Sequence, residues 1–230
     1  MNKSRMPLQP EAVARAALRL VNEVGLDGLT TRRLATELQI QSPSLYWHFS
    51  SKQELLNCMA EVMVTDALAD LHPPEPNQDW ADWLASYARL TRRMALGQRD
   101  GARVLAEADL ARGSFGKGID LAVQTLHAAG FAPHGALRSA LAVFSYTLGG
   151  VFALQSEPSS SPLMGDQEAV QPQTPAVDME RFPTLARFMD ESDVSLASEE
   201  WFDEGLELML DGMRASLARE TQRREHAQGN

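Results

Sequence analysis

The chain has a single cysteine in 230 residues, Cys58, so it can build no internal disulfide framework and offers no cysteine cluster for zinc. It has no uninterrupted apolar run of about 18 residues, the length that crosses a bilayer. Met1-Asn2-Lys3-Ser4-Arg5 leads into polar residues and Pro7, not into an apolar signal core. Together these absences predict a soluble, cytoplasmic protein with no membrane partner. His72, His127, His134 and His226 are scattered, without a partner at metal-ligand spacing. No nucleophile–base pair, carboxylate dyad or metal cluster supports an enzyme, and no cofactor or metal is expected. No segment reads convincingly as a strand, so the expected fold class is all-α.

What is present is a series of amphipathic helices. At 44% hydrophobic content the chain can bury one good core and a small satellite domain. From Pro10 to Val24, Val13, Ala14, Ala17, Leu18, Leu20, Val21 and Val24 recur at helical spacing, and Gly25 ends the run. Leu55, Leu56, Met59, Val62, Met63, Ala67 and Leu71 define a long helix that Pro73-Pro74 stops. Helical patterning continues over 79–96, 102–110, 119–129 and 136–154, punctuated by Gly97, Gly101, Gly130 and Pro133. Residues 157–177 change to Pro, Ser, Gln and Gly, which predicts a mobile loop, with a lid as the functional alternative. Order resumes near Phe182, and Ser198 caps a last helix carrying Trp201, Phe202, Leu206, Met209, Leu210, Met213 and Leu217. The expected organisation is a small head over 1–52, a linking helix over 53–72, a larger helical domain over 73–219 and a frayed polar tail over 220–230. Gly113-Ser114-Phe115-Gly116-Lys117-Gly118 lacks the strand and the hydroxyl residue of a phosphate loop and reads as a turn. Cys58 reads as a small apolar residue of the linking helix, with a redox-sensing thiol as the alternative.

Residues 30–52, TTRRLATELQIQSPSLYWHFSSK, carry the function. Thr30 can cap one short helix, and Ser42 followed by Pro43 can open a second about a dozen residues later, which suits a helix-turn-helix. Ser51-Lys52-Gln53-Glu54 has the form of a capping box for the linking helix. Net charge is −10 over the chain, yet residues 1–52 hold seven basic against four acidic residues, which leaves −13 on the remainder. A basic head on an acidic body would orient itself on a polyanion, so double-stranded DNA is the expected partner.

GLTTRRLATEL and SPSLYWHFSSKQELL resemble the amino-terminal domain of the TetR family of transcriptional repressors, and the Leu-Tyr-Trp-His run is similar to its tetracycline-repressor class. Weaker similarity continues through Arg99-Asp100-Gly101-Ala102-Arg103-Val104 and Tyr146-Thr147-Leu148-Gly149-Gly150-Val151, so it spans most of the chain. The resemblance implies a three-helix head joined by a long helix to a helical ligand-binding and dimerisation domain. It also implies a homodimer that occupies a palindromic operator and is released by a small-molecule effector. The regulatory sign is left open, since an activator or dual regulator would carry the same head; an all-α carrier or enzyme with a relic head is the remaining alternative.

Within that resemblance, Arg32 stands where an arginine reaches a guanine, with a plain phosphate contact as the alternative. Ser42, Pro43 and Ser44 would face base edges, and Ser42, where the class often has glutamine, predicts a different operator. Tyr46 and His48 are phosphate candidates and Trp47 packs at the surface, unless all three are structural. Thr30, Thr31 and Lys52 would hold phosphate, with a solvated lysine as the alternative for Lys52. Gln39 occupies the inter-helix turn where the family favours glycine; a left-handed backbone there would cost about 1 kcal/mol.

In the body, the positions matching drug contacts become Leu68, Tyr87, Thr91, Ala108 and Asp109. Leu105 replaces the histidine that helps hold the drug's magnesium, and Ala153 replaces the acid that the second subunit supplies. Neither residue can bind a metal, so the expected effector is an apolar or aromatic molecule other than magnesium-tetracycline. The apolar stripes that include Leu141, Phe144, Leu148, Phe152, Leu206, Met209 and Met213, with Gly149-Gly150 allowing close approach, are dimerisation candidates. Protomer core is the alternative reading of the same stripes.

Overall fold

A computed structural model describes residues 9–45, 49–109, 113–156, 181–184, 187–188 and 198–228. Among them every regular element is helical: α1 (Pro10–Gly28), α2 (Thr31–Glu37), α3 (Ser42–Leu45), α4 (Lys52–Ala67), α5 (Trp80–Leu96), α6 (Gly101–Glu107), α7 (Gly113–Ala128), α8 (Pro133–Gln155) and α9 (Glu199–Gln228). The all-α expectation therefore holds. The expected loop or lid over 157–177 lies outside the described residues.

Local chemistry explains most boundaries. Proline sits in the first turn of both α1 and α8, where its missing N–H costs nothing. Asp79 caps α5 by accepting the Ala81 N–H, and Ser198 caps α9 by accepting the Trp201 N–H. Ser51 accepts the Glu54 N–H at the start of α4, while the Glu54 carboxylate takes the Ser50 N–H and hydroxyl at 2.6 and 2.7 Å. This is a capping box whose return bond falls one residue early.

Two apolar clusters form the interior. One joins α1, α2, α3, α4 and α6 with the C-terminal parts of α5 and α8; the other joins the N-terminal parts of α5 and α8 with α7 and α9. Leu68 packs against both. The head is fixed to this body by two sets of polar contacts. The Arg15 guanidinium of α1 grips Asp66 of α4 in a two-pronged pair at 2.7 and 2.8 Å. Beyond it, the turn between α5 and α6 clasps the end of α1: Asp100 accepts the Leu26 N–H at 2.7 Å, Asn22 accepts the Arg99 N–H, and Arg103 forks onto Asp27. Gln155, the last residue of α8, braces the clasp by donating to the Ala95 and Gln98 carbonyls and accepting the Ala102 N–H.

Three boundaries differ from the sequence reading, and the composition of α8 adds a fourth point. α4 ends at Ala67, and a single 3-10 turn over Leu68–Asp70 precedes Pro73-Pro74. Gly113–Gly118 is not a turn but the start of α7; the Glu61 carboxylate of α4 accepts the Ser114 N–H with both oxygens, and Gly118 lies where a Cβ would meet the Tyr87 hydroxyl and Leu68. A tertiary partner thus overrides poor local propensity. α9 runs on to Gln228 in place of a frayed tail, with Arg224 donating to the Gly130 carbonyl. α8, finally, is long and apolar enough over its 23 residues to cross a membrane by composition, although no uninterrupted run is present in the sequence. Nine of its residues are buried inside the protein, so it is a core helix with one open face.

Candidate functional site

The head presents a continuous exposed edge built by two helix starts and the turn between them. Thr30 caps α2 by accepting the Arg33 N–H at 3.2 Å, while Leu34 and Ala35 bury the inner face. That packing turns Thr31, Arg32, Arg33, Thr36 and Glu37 outward. Arg33 is committed to the protein, donating to the Gly28 carbonyl at 2.8 Å, whereas no ion pair engages Arg32 among the described residues. Gln39 adopts the left-handed conformation, φ 53°, in the turn. Its N–H donates to the Thr36 carbonyl and the Ile40 N–H to the Ala35 carbonyl, the paired bonds of a Schellman ending.

α3 follows at once. Pro43 is exposed, Ser42 and Ser44 are half-buried, and Leu45 anchors the helix in the head's core. Lys52 is exposed at the first position of α4. Tyr46, Trp47 and His48 lie outside the described residues. Arg32, the α3 start and Lys52 are thus brought to the outside of one small unit, with cations and hydroxyls able to meet phosphate and base edges.

The body positions divide into three groups. Tyr87 is buried in the second cluster, its ring stacked on Trp83 at 5.7 Å, and burial pushes its hydroxyl pKa up to about 12. Leu68 and the Tyr87 hydroxyl flank Gly118 of α7. Thr91 is buried one turn further along α5, its hydroxyl donating to the Tyr87 carbonyl. Leu105 and Ala108 belong to the first cluster, and Leu105 is fully buried. Asp109 is exposed, with its N–H held by Asn57 of α4 at 2.9 Å, and Ala153 is exposed on the open side of α8.

Comparison with known proteins bears on the whole chain. The family model described as bacterial regulatory proteins, tetR family, matches residues 14–59, and that of the tetracyclin repressor-like C-terminal domain matches residues 73–217. The chain belongs to the TetR family. It is 36% identical over 209 residues to the class A tetracycline repressor protein from transposon 1721 of Escherichia coli, covering 90% of each chain. It is also 36% identical to the class C repressor of Escherichia coli, over 93% of this chain and 92% of that one. Among solved structures, a possible TetR family regulator from Streptomyces coelicolor A3(2) is 34% identical over 90% of this chain and 100% of that one, with a TM-score of 0.75. A TetR variant from Acinetobacter baumannii AYE, solved with minocycline, is 32% identical over 90% of this chain and 97% of that one, with a TM-score of 0.66. The protein is accordingly a TetR family transcription regulator with a helix-turn-helix DNA-binding head and a ligand-binding body.

At Leu105 and Ala153, the positions that the resemblance matches to the holders of a tetracycline's magnesium, the side chains present do not fit a metal ion. Leu105 is hydrocarbon sealed in the core, and Ala153 offers only a methyl group. Among the described residues no group of three or more His, Cys, Asp or Glu could hold a metal ion.

The dimerisation candidates need correction. Leu206 is 1% exposed, and Phe144, Leu148 and Met213 are also buried by the protein's own helices, so these four are protomer core. Leu141 and Met209 are half-buried. Only Phe152 is open, at 51% exposure, in company with Leu137 on α8 and Trp201 and Leu208 on α9. A Cβ added at Gly149, Gly150 or Gly212 would meet nothing, which marks the same open faces. Burial also pushes the Cys58 thiol up, with Glu61 adding to the effect, which disfavours a reactive thiolate.

Sequence reasoning missed the polar residues that tie elements together: Asp100, Arg103, Gln155 and Glu61. For Glu61 a signal existed, since Gln53, Asn57, Glu61 and Thr65 repeat every four residues and form one polar stripe on α4.

Proposed function

We propose that the protein is a homodimeric repressor that occupies a palindromic operator and is released by an uncharged apolar or aromatic effector without a metal. The observation that carries the DNA part is the joint exposure of Thr31, Arg32, Pro43 and Lys52 around the left-handed turn at Gln39. Arg32 supplies a fork for a guanine, Ser42, Pro43 and Ser44 approach base edges, and Thr30, Thr31 and Lys52 take phosphates. Tyr46 and His48 would extend the phosphate contacts, with Trp47 beside them.

The exposed apolar residues Leu137, Phe152, Trp201 and Leu208, with the open glycines of α8 and α9, support a two-fold helix pairing. Such a dimer sets two heads one helical turn of DNA apart. Leu68, Tyr87, Thr91, Leu105 and Ala108 put hydrocarbon, a phenol and a hydroxyl around the effector, and no charged side chain; Asp109 and Ala153 lie at the margin. Relatives named as tetracycline repressors share the architecture, but the two positions above argue against that ligand here.

Selection from a random duplex pool tests the first part: the reading expects an inverted repeat with half-site centres about 10 base pairs apart. Recovery of no preferred sequence contradicts it. Titration of operator-bound protein with tetracycline and magnesium tests the second, with no release expected; release at micromolar drug overturns the metal-free effector.

A further inference from the structure

Among the described residues, three that are not glycine hold a positive φ: Gln39 at 53°, Asn77 at 72° and Asp100 at 56°. Asparagine and aspartate enter the left-handed region readily, whereas glutamine seldom does. Asp100 also has a use there, since its carboxylate accepts the Leu26 N–H at 2.7 Å. Gln39 stands apart. The two bonds that close its turn are made by backbone alone, Gln39 N–H to the Thr36 carbonyl and Ile40 N–H to the Ala35 carbonyl, and a glycine would make both. A glutamine side chain here therefore costs stability without being needed to form the turn. Such an outlier points to a use for the side chain beyond the local backbone.

Its position supplies that use. Arg32, Thr36 and Gln39 follow one another at spacings of four and three, so they form one stripe that continues past the end of α2. All three are exposed, and they line the same groove on the head. At 1.5 Å per residue the stripe spans about 10 Å, which is about three base-pair steps of 3.4 Å. Its two ends can thus meet different base pairs of one half-site. The residues beside them are engaged within the protein: the Thr36 hydroxyl donates to the Arg32 carbonyl at 3.0 Å, and Arg33 donates to the Gly28 carbonyl at 2.8 Å. A glutamine amide offers a donor and an acceptor side by side, the pair that matches the N6 and N7 edge of adenine. Glu37 lines the same groove, and its carboxylate would repel a phosphate set against Gln39, whereas a base edge carries no such charge.

We infer that Gln39 is a specificity-determining residue, whose side-chain amide reads an adenine in each operator half-site, beside the bases met by Arg32 and the start of α3. This rests on the regulator reading above. The strained turn is then the means by which an amide is added to the reading edge, and the stability it costs is returned as discrimination between duplexes.

Random-pool selection is run in parallel on wild type, Gln39→Gly and Gln39→Glu. Each protein is then titrated, at several salt concentrations, with the duplex that wild type selects, with its single-base-pair variants and with random duplex. Wild type should recover an A·T pair at one fixed position of each half-site. Gln39→Gly relieves the turn and should fold at least as well as wild type. It is expected to lose the preference at that position alone, and about tenfold in affinity for each half-site, within the worth of a two-bond base contact. Random-duplex affinity and the salt slope should stay unchanged, because no charge is removed. Gln39→Glu keeps the length of the side chain and the strain of the turn but can only accept, so it should exchange adenine for cytosine, whose N4 amine donates. Recovery of the wild-type sequence at wild-type affinity by Gln39→Gly overturns the proposal. So does an equal loss on selected and random duplex, which would put the amide on a phosphate, and so does a loss spread over every position of the half-site, which would make the turn a matter of shape alone. If wild type recovers no sequence at all, it is the regulator reading that has failed, and the proposal with it.

Discussion

Gln39 holds the turn between α2 and α3 at φ 53°, a conformation that glycine adopts freely and glutamine does not. Gln39→Gly should therefore stabilise the protein by about 1 kcal/mol, read as a raised urea midpoint, without changing random-duplex binding. A lowered midpoint would show that the glutamine side chain does more than tolerate the turn. In the proposed function Arg32 reads a base and Lys52 holds a phosphate, so the two variants are expected to differ. Arg32→Ala should cost about 1–3 kcal/mol on the selected duplex and relax sequence preference at one position. Lys52→Ala should weaken all duplexes alike and reduce the salt slope by about one. Reversed behaviour of the two variants would exchange their assigned roles. The strained turn, the caps at Thr30, Ser51 and Ser198, and the exposed Arg32 were legible in the sequence because each depends on neighbours within a few residues. The Asp100–Leu26 and Glu61–Ser114 contacts were not, since they join residues 74 and 53 positions apart.

At the scale of elements, two ion pairs fasten α1. Asp66 and Asp27 are both held below the ordinary carboxylate range, chiefly by hydrogen bonds from Arg15 and Arg103. Folded-state values below the unfolded one stabilise the protein above the unfolded value of about 3.9, and that stabilisation is lost as pH falls through the folded values. Urea midpoints should thus drop between pH 5 and pH 3, and the drop should be shallower in Asp27→Asn combined with Asp66→Asn. An equal drop in the double variant would place the acid sensitivity elsewhere. Helix boundaries followed the apolar period in α5 and α8, and in α1 the run ends at Gly25, where the backbone turns to φ 73° before a last short stretch to Gly28. α7 escaped it, because Gly113–Gly118 has the composition of a turn and becomes helical only when Glu61 and the Tyr87–Leu68 wall are supplied in three dimensions. The stripes on α8 and α9 could be found from sequence, but which side faces the protomer core could not: Leu206 and Phe144 point in, while Leu208 and Phe152 point out.

For the whole molecule, the open faces of α8 and α9 predict association. Phe152→Glu should shift the protein toward monomer in sedimentation and weaken binding to a two-half-site duplex far more than to a single half-site. A stable dimer in that variant would move the interface off α8. The charge division between head and body, and a body with hydrocarbon at Leu105 and a methyl group at Ala153, are what the proposed metal-free regulator needs. The central claim is sequence-specific operator binding. Its most direct test is titration of the purified protein into DNA from upstream of its own gene, against random duplex, at several salt concentrations. Tight binding of one dimer per site on the upstream DNA is expected, with weak, steeply salt-dependent binding to random duplex. Equal, weak binding to both, with no sequence recovered from a random pool, would contradict it.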